Sequence, residues 1–308
     1  PPIQSASATE TLATPLIQPF DIDASRRMSV PVMIGAQGPF AFIVDTGAER
    51  TVIARELANR LTLAEGAPLR LATISGPMTA PSYRVAALAM TNLTLAPFEA
   101  PALYGNHIGA AGLLGVDMLH GRRVLIDFRK EEMRISASRR SQRPLIRDDD
   151  AIVVTARNLA GRLILSDARI DGKRVDVIVD TGAQTSIGNL AMMRLVRKRK
   201  QNRFPFVATE LTGVSGDTIA AQMTVLRRID IEGLDVNDLS ISFADSHAFR
   251  ALGLGDRPAM LLGMDALRLF DRIEIDYANK RIILDLPDDA ARPGGQRLAA
   301  HPLAVPSS

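Results

Sequence analysis

The feature that most constrains this chain is a motif that it contains twice. The stretch FIVDTGAERTVI begins at Phe42, and the stretch VIVDTGAQTSIG begins at Val177. In each copy an apolar run leads to an acid, Asp45 or Asp180, which is followed by Thr-Gly-Ala. The similarity continues well beyond the motif, so we interpret the chain as an internal duplication.

Equivalent segments surround both copies of the motif in the same order. Alternating apolar residues with a Gly-containing turn predict a hairpin before each acid, a helical pattern follows it, and a strand-turn-strand pattern closes each half. One half contains VPVMIGAQGPFAFIVD, ARELANRL, GLLGVDML and VLIDFRKEEMRI, and the other contains LILSDARIDGKRVDVIVD, LAMMRLVRK, MLLGMDAL and IEIDYANKRIIL. We therefore predict a mostly β protein whose two lobes are related by pseudo-two-fold symmetry.

The 308 residues are enough for two lobes that each bury a core. Apolar periodicity lapses at 136–150, where the polar and charged segment SASRRSQRPLIRDDD predicts the seam. We expect an N-terminal extension at 1–28, lobes at 29–143 and 144–288, and a loosely held tail at 289–308. The small polar residues at the start fit a periplasmic or secreted chain after signal removal, although a trimmed chain would look the same.

Composition excludes several kinds of chemistry. The chain has no Cys, which excludes disulfides, thiolate metal sites and a cysteine nucleophile. Its four His residues form no HExxH motif, and no GxSxG motif is present, so the local signatures of zinc and serine hydrolases are missing. No apolar run reaches the roughly 18 residues of a membrane span. We predict neither a metal, nor a cofactor, nor a transmembrane segment.

The formal net charge of +3 is not typical of a nucleic-acid-binding protein, and we expect no nucleic-acid partner. One concentrated basic run, RLVRKRKQNR, extends from Arg194 to Arg203 after an apolar helical pattern. Two interpretations remain open for this run. It is a solvated helix C-terminus, where cations are stabilised by the helix dipole, or it is a surface for an anionic partner or membrane.

The two acids of the repeated motif predict a specific chemistry. Each follows three apolar residues, so it lies at the end of a buried strand, and Gly47 or Gly182 then allows a sharp turn. Two carboxylates that face each other at close range cannot both stay ionised, so they share a proton. One is then a base that can activate water, and the other is an acid that can protonate a carbonyl oxygen.

The paired DTGA and LLG motifs resemble those of the pepsin-type and retroviral aspartic proteases, and DTGAERTVI is closest to the retroviral kind. The resemblance implies a two-lobed acid-protease-like β-barrel fold with Asp45 and Asp180 as the catalytic pair. It also implies four residues that support the pair, namely Thr46, Gly47, Thr181 and Gly182. The segments Leu113-Leu114-Gly115 and Leu261-Leu262-Gly263 would pass behind the catalytic loops and brace them.

Substrate-binding positions follow from the same resemblance. They are Ala48, Glu49, Ala183 and Gln184 after the motifs, and Ser75, Gly76, Ser215 and Gly216 at the tips of two candidate flaps. These flaps are the hairpin patterns at 73–85 and 211–221, and two moving flaps fit the chain better than one. Tyr83 lies well past its flap tip, so we do not give it the role of a flap tyrosine. We interpret Asp117 and Asp265 as structural caps of short helices.

We therefore predict an aspartic endopeptidase, monomeric, that hydrolyses peptide bonds between apolar residues. Ala48 and Ala183 offer no hydroxyl to the carboxylates, which favours activity in mild rather than strong acid. The alternative is a catalytically inactive peptide-binding module on the same fold. A glycosidase also uses two carboxylates, but its chemistry does not require identical Thr-Gly-Ala neighbours.

Overall fold

The computed structural model describes residues 16–22, 27–90, 93–119, 121–148, 151–159, 162–287 and 297–299. Strands account for 52% of the structure and helices for 12%, and the strands form a closed six-stranded barrel and a half-barrel. The predicted mostly β, two-lobed, acid-protease-like fold is therefore confirmed.

The N-terminal lobe contains the first fourteen strands and three short helices. Its strands are β1 (Leu16–Pro19), β2 (Asp21–Ile22), β3 (Met28–Ile34), β4 (Gln37–Val44), β5 (Val52–Ala54), β6 (Leu69–Ala72), β7 (Pro77–Ala80), β8 (Ser82–Val85), β9 (Leu88–Met90), β10 (Leu93–Leu95), β11 (Phe98–Leu103), β12 (Gly112–Leu114), β13 (Arg122–Asp127) and β14 (Glu132–Ala137). Its helices are α1 (Arg55–Arg60), α2 (Gly105–Ile108) and α3 (Val116–Leu119).

The C-terminal lobe repeats the order of elements around the motif, and β20 and β21 are its longest strands. Its strands are β15 (Ile152–Leu159), β16 (Arg162–Ile170), β17 (Lys173–Val179), β18 (Ser186–Gly188), β19 (Val207–Thr212), β20 (Thr218–Ile231), β21 (Leu234–Ala244), β22 (Ala259–Leu262), β23 (Arg272–Asp276), β24 (Arg281–Asp285) and β25 (Arg297–Ala299). Its helices are α4 (Leu190–Lys198), α5 (His247–Ala251) and α6 (Met264–Leu267). The hairpins and helices expected around the two motifs are all present.

The same strand arrangement surrounds the acid in each lobe. In the N-terminal lobe β12 lies between β4, to which it is parallel, and β5, to which it is antiparallel. In the C-terminal lobe β22 lies in the same way between β17 and β18. A strand that has neighbours on both sides and core on both faces needs a continuous apolar run. The strands that lead to the acids, β4 and β17, end in such runs. These are Phe42-Ile43-Val44 and Val177-Ile178-Val179, and all six residues are buried.

A six-stranded antiparallel layer joins the lobes, and we call it the interlobe sheet. Its strand order is β1, β14, β13, β23, β24 and β15, so each lobe contributes three strands. The two halves meet where β13 pairs with β23, and Leu125 lies opposite Glu274 at the centre of this register. The hydrophobic core is largely one continuous cluster that includes residues of both lobes.

A buried ion pair in the interlobe sheet contacts the segment that connects the two lobes. Arg123 and Glu274 are 3.5 Å apart, and both side chains are almost completely buried. Glu274 accepts hydrogen bonds from the backbone N–H groups of Leu145 and Ile146, and Arg123 donates to the carbonyl of Arg143. The connection between the lobes is therefore fixed to the sheet beneath it.

Two terminal segments differ from expectation. Residues 16–22, which we assigned to an extension, form β1 and β2, and β1 pairs with β14 at the edge of the interlobe sheet. Residues 297–299, which we assigned to a loose tail, form β25 and pair with β21. These strands are too short to show periodicity, and they exist because a neighbouring strand offers unpaired backbone groups. Arg27 and Met28, at the end of the expected extension, are also described, and Met28 begins β3, while the remaining residues of both segments lie outside the described ones.

Candidate active site

Asp45 and Asp180 occupy equivalent positions at the ends of β4 and β17. Each is buried, with 8% of its surface exposed, at the point where a sharp loop begins. Asp45 N–H donates to the carbonyl of Leu114 at 2.9 Å, and Asp180 N–H donates to that of Leu262 at 3.0 Å. Each LLG strand therefore fixes the backbone of the neighbouring acid.

Thr46 and Thr181 tie the two loops to each other. Thr46 N–H donates to Thr181 Oγ1, and Thr181 N–H donates to Thr46 Oγ1, both at 3.1 Å. The Thr46 hydroxyl donates to the carbonyl of Val179, and the Thr181 hydroxyl donates to that of Val44. All four bonds are buried and cross from one lobe to the other, so the loops form a single rigid unit.

Gly47 and Gly182 allow each loop to approach the acid of the other lobe. A Cβ atom on Gly47 would overlap the carboxyl group of Asp180, and one on Gly182 would overlap that of Asp45. Only glycine fits at either position. The two acids are thus brought together across the lobe boundary, with the backbone of each loop packed against the opposite carboxyl.

Backbone amides stabilise one oxygen of each carboxylate. Asp45 Oδ1 accepts hydrogen bonds from the N–H groups of Gly47 and Ala48, and Asp180 Oδ1 accepts those of Gly182 and Ala183. Burial nevertheless raises the pKa of both carboxyl groups. Burial, together with the charge of Asp45, raises the pKa of Asp180 to about 7. Two coupled carboxyl groups in such surroundings can share one proton, which is the state that an acid–base pair needs.

Asp117 and Asp265 brace the catalytic loops, which corrects their expected role as helix caps. Asp117 accepts hydrogen bonds from both the N–H and the hydroxyl of Thr51, and Asp265 does the same for Ser186. Each acid also accepts the N–H of the residue that follows it. Both acids lie within the first turn of α3 or α6, and their main partners are Thr51, directly before β5, and Ser186, the first residue of β18. Asp117 and Asp265 therefore keep a structural role, but they hold the residue at which a strand begins and do not only cap a helix.

The two flaps are hairpins of different construction. The first consists of β6 and β7 alone, with a turn at 73–76, and so lies earlier in the chain than the expected 73–85. The second consists of β19 and the start of β20, with a turn at 213–217. Because β20 continues for fourteen residues and pairs with β21, the second flap is an extension of the main sheet.

The flap tips contact each other and the opposite lobes. The Ser75 hydroxyl donates to the carboxylate of Asp217 at 3.0 Å, and Ile74 packs against Gly213. The carbonyl of Ile74 also accepts the N–H of His247, at the start of α5, at 2.8 Å. Gly216 in turn packs against a ring of the N-terminal lobe, that of His107 in α2. The structure is therefore a closed one, in which both tips are docked.

A model of the aspartyl protease family matches residues 30–118 and 166–266. The two regions make up more than half of the chain, and each contains one DTGA motif with its LLG motif. The chain belongs to the aspartyl protease family. No curated protein matches it. Within the described residues, no cluster of His, Cys, Asp or Glu could hold a metal ion, and no helix is long and apolar enough to cross a bilayer.

Arg162 is a site residue that sequence reasoning missed. Its Nε donates to the carbonyl of Gly47 at 2.6 Å, so the C-terminal lobe holds the catalytic loop of the N-terminal lobe. Its charge also lowers the pKa of both Asp45 and Asp180, against the larger effect of burial. Arg27 lowers the pKa of Asp45 more weakly.

The two arginines hold equivalent positions. Ser29 pairs with Ile43, and Ile164 pairs with Ile178, two residues before the respective acids. An alignment of the two halves on their acids could have found both arginines, because each precedes its Asp by the same interval of about eighteen residues (27 to 45 and 162 to 180). A single arginine in a basic chain carries no such signal.

Other predicted positions lie at the rim or outside the site. Glu49 and Gln184 are exposed in equivalent loops directly after the catalytic motifs, and the structure gives neither side chain a role. Tyr83 is buried in β8, where its hydroxyl bonds Asn59, in accordance with the decision not to treat it as a flap residue. Tyr277 was not anticipated. It is buried near Asp45, and burial followed by the charge of Asp45 raises its pKa well above its usual range.

Proposed function

We propose that the protein is a single-chain, retropepsin-like aspartic endopeptidase in which Asp45 and Asp180 form one catalytic pair. The observation that carries this proposal is the reciprocal Thr46–Thr181 bonding, which holds two buried carboxyl loops face to face. Stability alone does not require two buried acids with raised pKa values, whereas proton transfer to and from a substrate does.

The environment of the pair favours different protonation states for its two members. The charge of Arg162 favours the ionised form of both acids, and Arg27 adds a weaker effect of the same sign on Asp45. Asp180 has a pKa of about 7 and is the protonated member in mild acid. Asp45 is therefore the general base and Asp180 the general acid in the first step. The proton is nevertheless a property of the coupled pair.

The reaction follows from these two states. The Asp45 carboxylate takes a proton from water while the water oxygen bonds to the peptide carbonyl carbon, and Asp180 gives its proton to the carbonyl oxygen. The resulting tetrahedral diol then collapses: Asp180 takes a proton back from one hydroxyl as the carbonyl re-forms, the carbon–nitrogen bond breaks, and Asp45 gives its proton to the leaving nitrogen. No charge has to develop on the substrate without a partner.

The flaps supply the substrate-binding groups. The Ser215 hydroxyl is buried and has no hydrogen-bond partner among the described residues, so it is available to a peptide backbone. The turn residues Ser75, Gly76 and Gly216 present backbone and hydroxyl groups beside it. Ile74 and Val214 are half-buried at the two tips. Their apolar side chains support a preference for apolar residues on both sides of the cleaved bond.

The test compares Asp45→Asn, Asp180→Asn and the double variant in a digest of a peptide library, with fragments identified by mass spectrometry. Each single change is expected to lower turnover by at least about a thousandfold, and the double change should be little worse, because the two residues act as a unit. Asp256→Asn is the matched control, since Asp256 is an exposed acid. Its activity should equal that of the wild type.

Other outcomes point to different proteins. A wild-type chain that binds peptides but releases no fragments would be the peptide-binding module. Substantial activity in a folded single Asn variant would mean that the two acids do not form one site. Loss of specific activity on dilution would contradict the monomer, because a site formed within one chain does not depend on concentration.

A further inference from the structure

The basic run of the sequence lies at the end of α4 and plays no part in the active site. Six cationic side chains and no acid occur between Leu190 and Arg203. This local charge exceeds the net charge of the whole chain, which is +3. The run is therefore the strongest concentration of one charge in the sequence.

The structure extends the run to a surface that includes a neighbouring strand. Arg227 of β20 is held beside the run, because its N–H donates to the carbonyl of Gln201 at 2.7 Å. We call this set the basic surface, and it consists of Arg194, Arg197, Lys198, Arg199, Lys200 and Arg227. All six side chains are exposed.

The basic surface is not neutralised by the protein itself. In the part of the chain that the structure describes, none of its six cations has a carboxylate within ion-pair distance. The nearest acids are engaged elsewhere, since Asp238 pairs with Arg203 and both oxygens of Asp171 accept from the amide of Gln201. Arg197 packs over Phe206 and bonds the amide of Gln222. Within the described residues, the repulsion among these cations is therefore reduced by solvent and not by carboxylates of the protein.

The equivalent region of the N-terminal lobe has a different charge. Helix α1 and the turn after it contain Arg55, Glu56, Arg60 and Glu65, so their charges cancel. The solvated end of a helix in this fold consequently does not require a cationic cluster. Stabilisation of the helix dipole needs no more than one or two cations in the last turn, and Arg197 and Lys198 already supply them.

We propose that the basic surface docks the protein on an anionic lipid membrane. Clusters of several Lys and Arg side chains bind negatively charged headgroups without a fixed geometry, and each adds to the affinity. Phe204 lies next to the cluster in the chain with 43% of its surface exposed. An exposed aromatic ring among cations fits the headgroup boundary, which accepts apolar and charged groups together. The phosphates of a DNA duplex, whose bases are already stacked within the helix, would give that ring no comparable environment.

The experiment measures co-sedimentation of the full chain with vesicles of phosphatidylglycerol mixed with phosphatidylcholine, and with vesicles of phosphatidylcholine alone. We expect binding to the anionic vesicles only, and loss of binding at about 0.5 M salt, where charges are screened within a few ångströms. Lys198→Gln combined with Arg199→Gln should lower the partition coefficient by roughly tenfold to thirtyfold, because each cation contributes independently. Phe204→Ser should lower it several-fold.

The matched control is Arg139→Gln combined with Arg140→Gln, which removes the same charge from two exposed residues of the interlobe connection. This variant should bind as the wild type does. Equal losses in the two double variants would overturn the proposal, because net charge and not the basic surface would then control binding. Absence of wild-type binding, or tighter binding to a short DNA duplex than to the vesicles, would also overturn it. No step depends on catalysis, so the result is independent of the proposed function.

Discussion

The two lobes are alike in the loops that carry Asp45 and Asp180, and they differ at the flaps and at the ends of α1 and α4. The catalytic loops, the LLG strands and the bracing acids Asp117 and Asp265 have the same hydrogen bonds in both lobes. The flaps and the ends of α1 and α4 share only their position. The loops that carry the two acids are buried against each other, so a change in one of them must be matched by its partner across the lobe boundary. The exposed parts had no such partner.

This comparison also explains why the site is not fully symmetric. The Arg162 side chain donates a hydrogen bond to the carbonyl of Gly47, in the loop of the opposite lobe. Its charge also lowers the pKa of Asp45 more than the charge of Arg27 does. Asp45 and Asp180 thus have identical neighbours in sequence but different surroundings in space. A two-lobed chain can assign different proton affinities to two identical motifs.

The largest effect is expected from the glycines that contact the opposite acids. Gly47→Ala and Gly182→Ala each place a methyl group on a catalytic carboxyl and must displace it. Both should lower kcat/KM by at least about a hundredfold, since small misplacement of reacting groups is costly. The control is Gly255→Ala, because an added Cβ there would lie 3.2 Å from the Arg250 side chain and 3.9 Å, an ordinary contact, from its Cα. Unequal losses, more than tenfold apart, would break the equivalence of the two loops.

The second prediction concerns stability, and it separates the two acids. The folded-state pKa of Asp180 is raised from 3.8 to about 7, so the stability that it contributes below about pH 4 is lost as pH rises through 7. Asp180→Asn should remove this loss and raise the free energy of unfolding by roughly 2–4 kcal/mol at pH 8, with little change at pH 4. Urea unfolding at both pH values measures it.

Asp45→Asn provides the comparison for that experiment. It should give a smaller gain at pH 8, because the carboxylate that it removes is the one that Arg162 and Arg27 help to keep ionised. Equal gains in the free energy of unfolding from the two variants would mean that the surroundings of the two acids shift their pKa values equally. A gain that persists at pH 4 would place its cause in packing and not in protonation.

The fold around the two motifs was predictable from the sequence. The repeated apolar run, acid and Thr-Gly-Ala predicted the hairpins and the mostly β class, because burial leaves few alternatives for such a pattern. The strand β1 was not predictable, since its four residues are extended only because they pair with the edge strand β14. Arg162 was not predicted because its partner is a backbone carbonyl, and any residue could have provided that group.

The third prediction tests the asymmetry of the site through Arg162. Removal of its charge in Arg162→Leu should raise the pKa of both acids, so both limbs of the pH profile of kcat/KM should move to higher pH. We expect a shift below about one pH unit, because Arg162 is partly exposed and solvent screens its charge. Arg27→Leu should move only the acid limb, and by less. Identical shifts would show that the arginines act equally on the pair.

The smallest effect is expected at the flap tips. Ser75→Ala and Asp217→Ala each remove one exposed hydrogen bond between the flaps, which is worth about 0.5–1.5 kcal/mol. Each should change KM by a few-fold, and the double variant should equal either single one, since the same bond is lost. Pairing Ser75→Ala with Glu210→Ala is the control, because Glu210 is exposed on the second flap away from its turn. That pair should be additive. Additivity in the first pair would mean that the tips do not meet during catalysis.

The register of the interlobe sheet has a consequence for the history of the chain. Leu125 and Glu274 are equivalent residues of the two lobes, and each lies opposite the other. In an ancestor made of two identical chains, this position would face its own copy, and a buried acid there would meet a second acid. Fusion into one chain removed that restriction. A single carboxylate could then occupy the axis, pair with Arg123 and bind the amides of the new connection at Leu145 and Ile146. The connection between the lobes is thus held by a single acid at a position that two identical chains would have to fill with two.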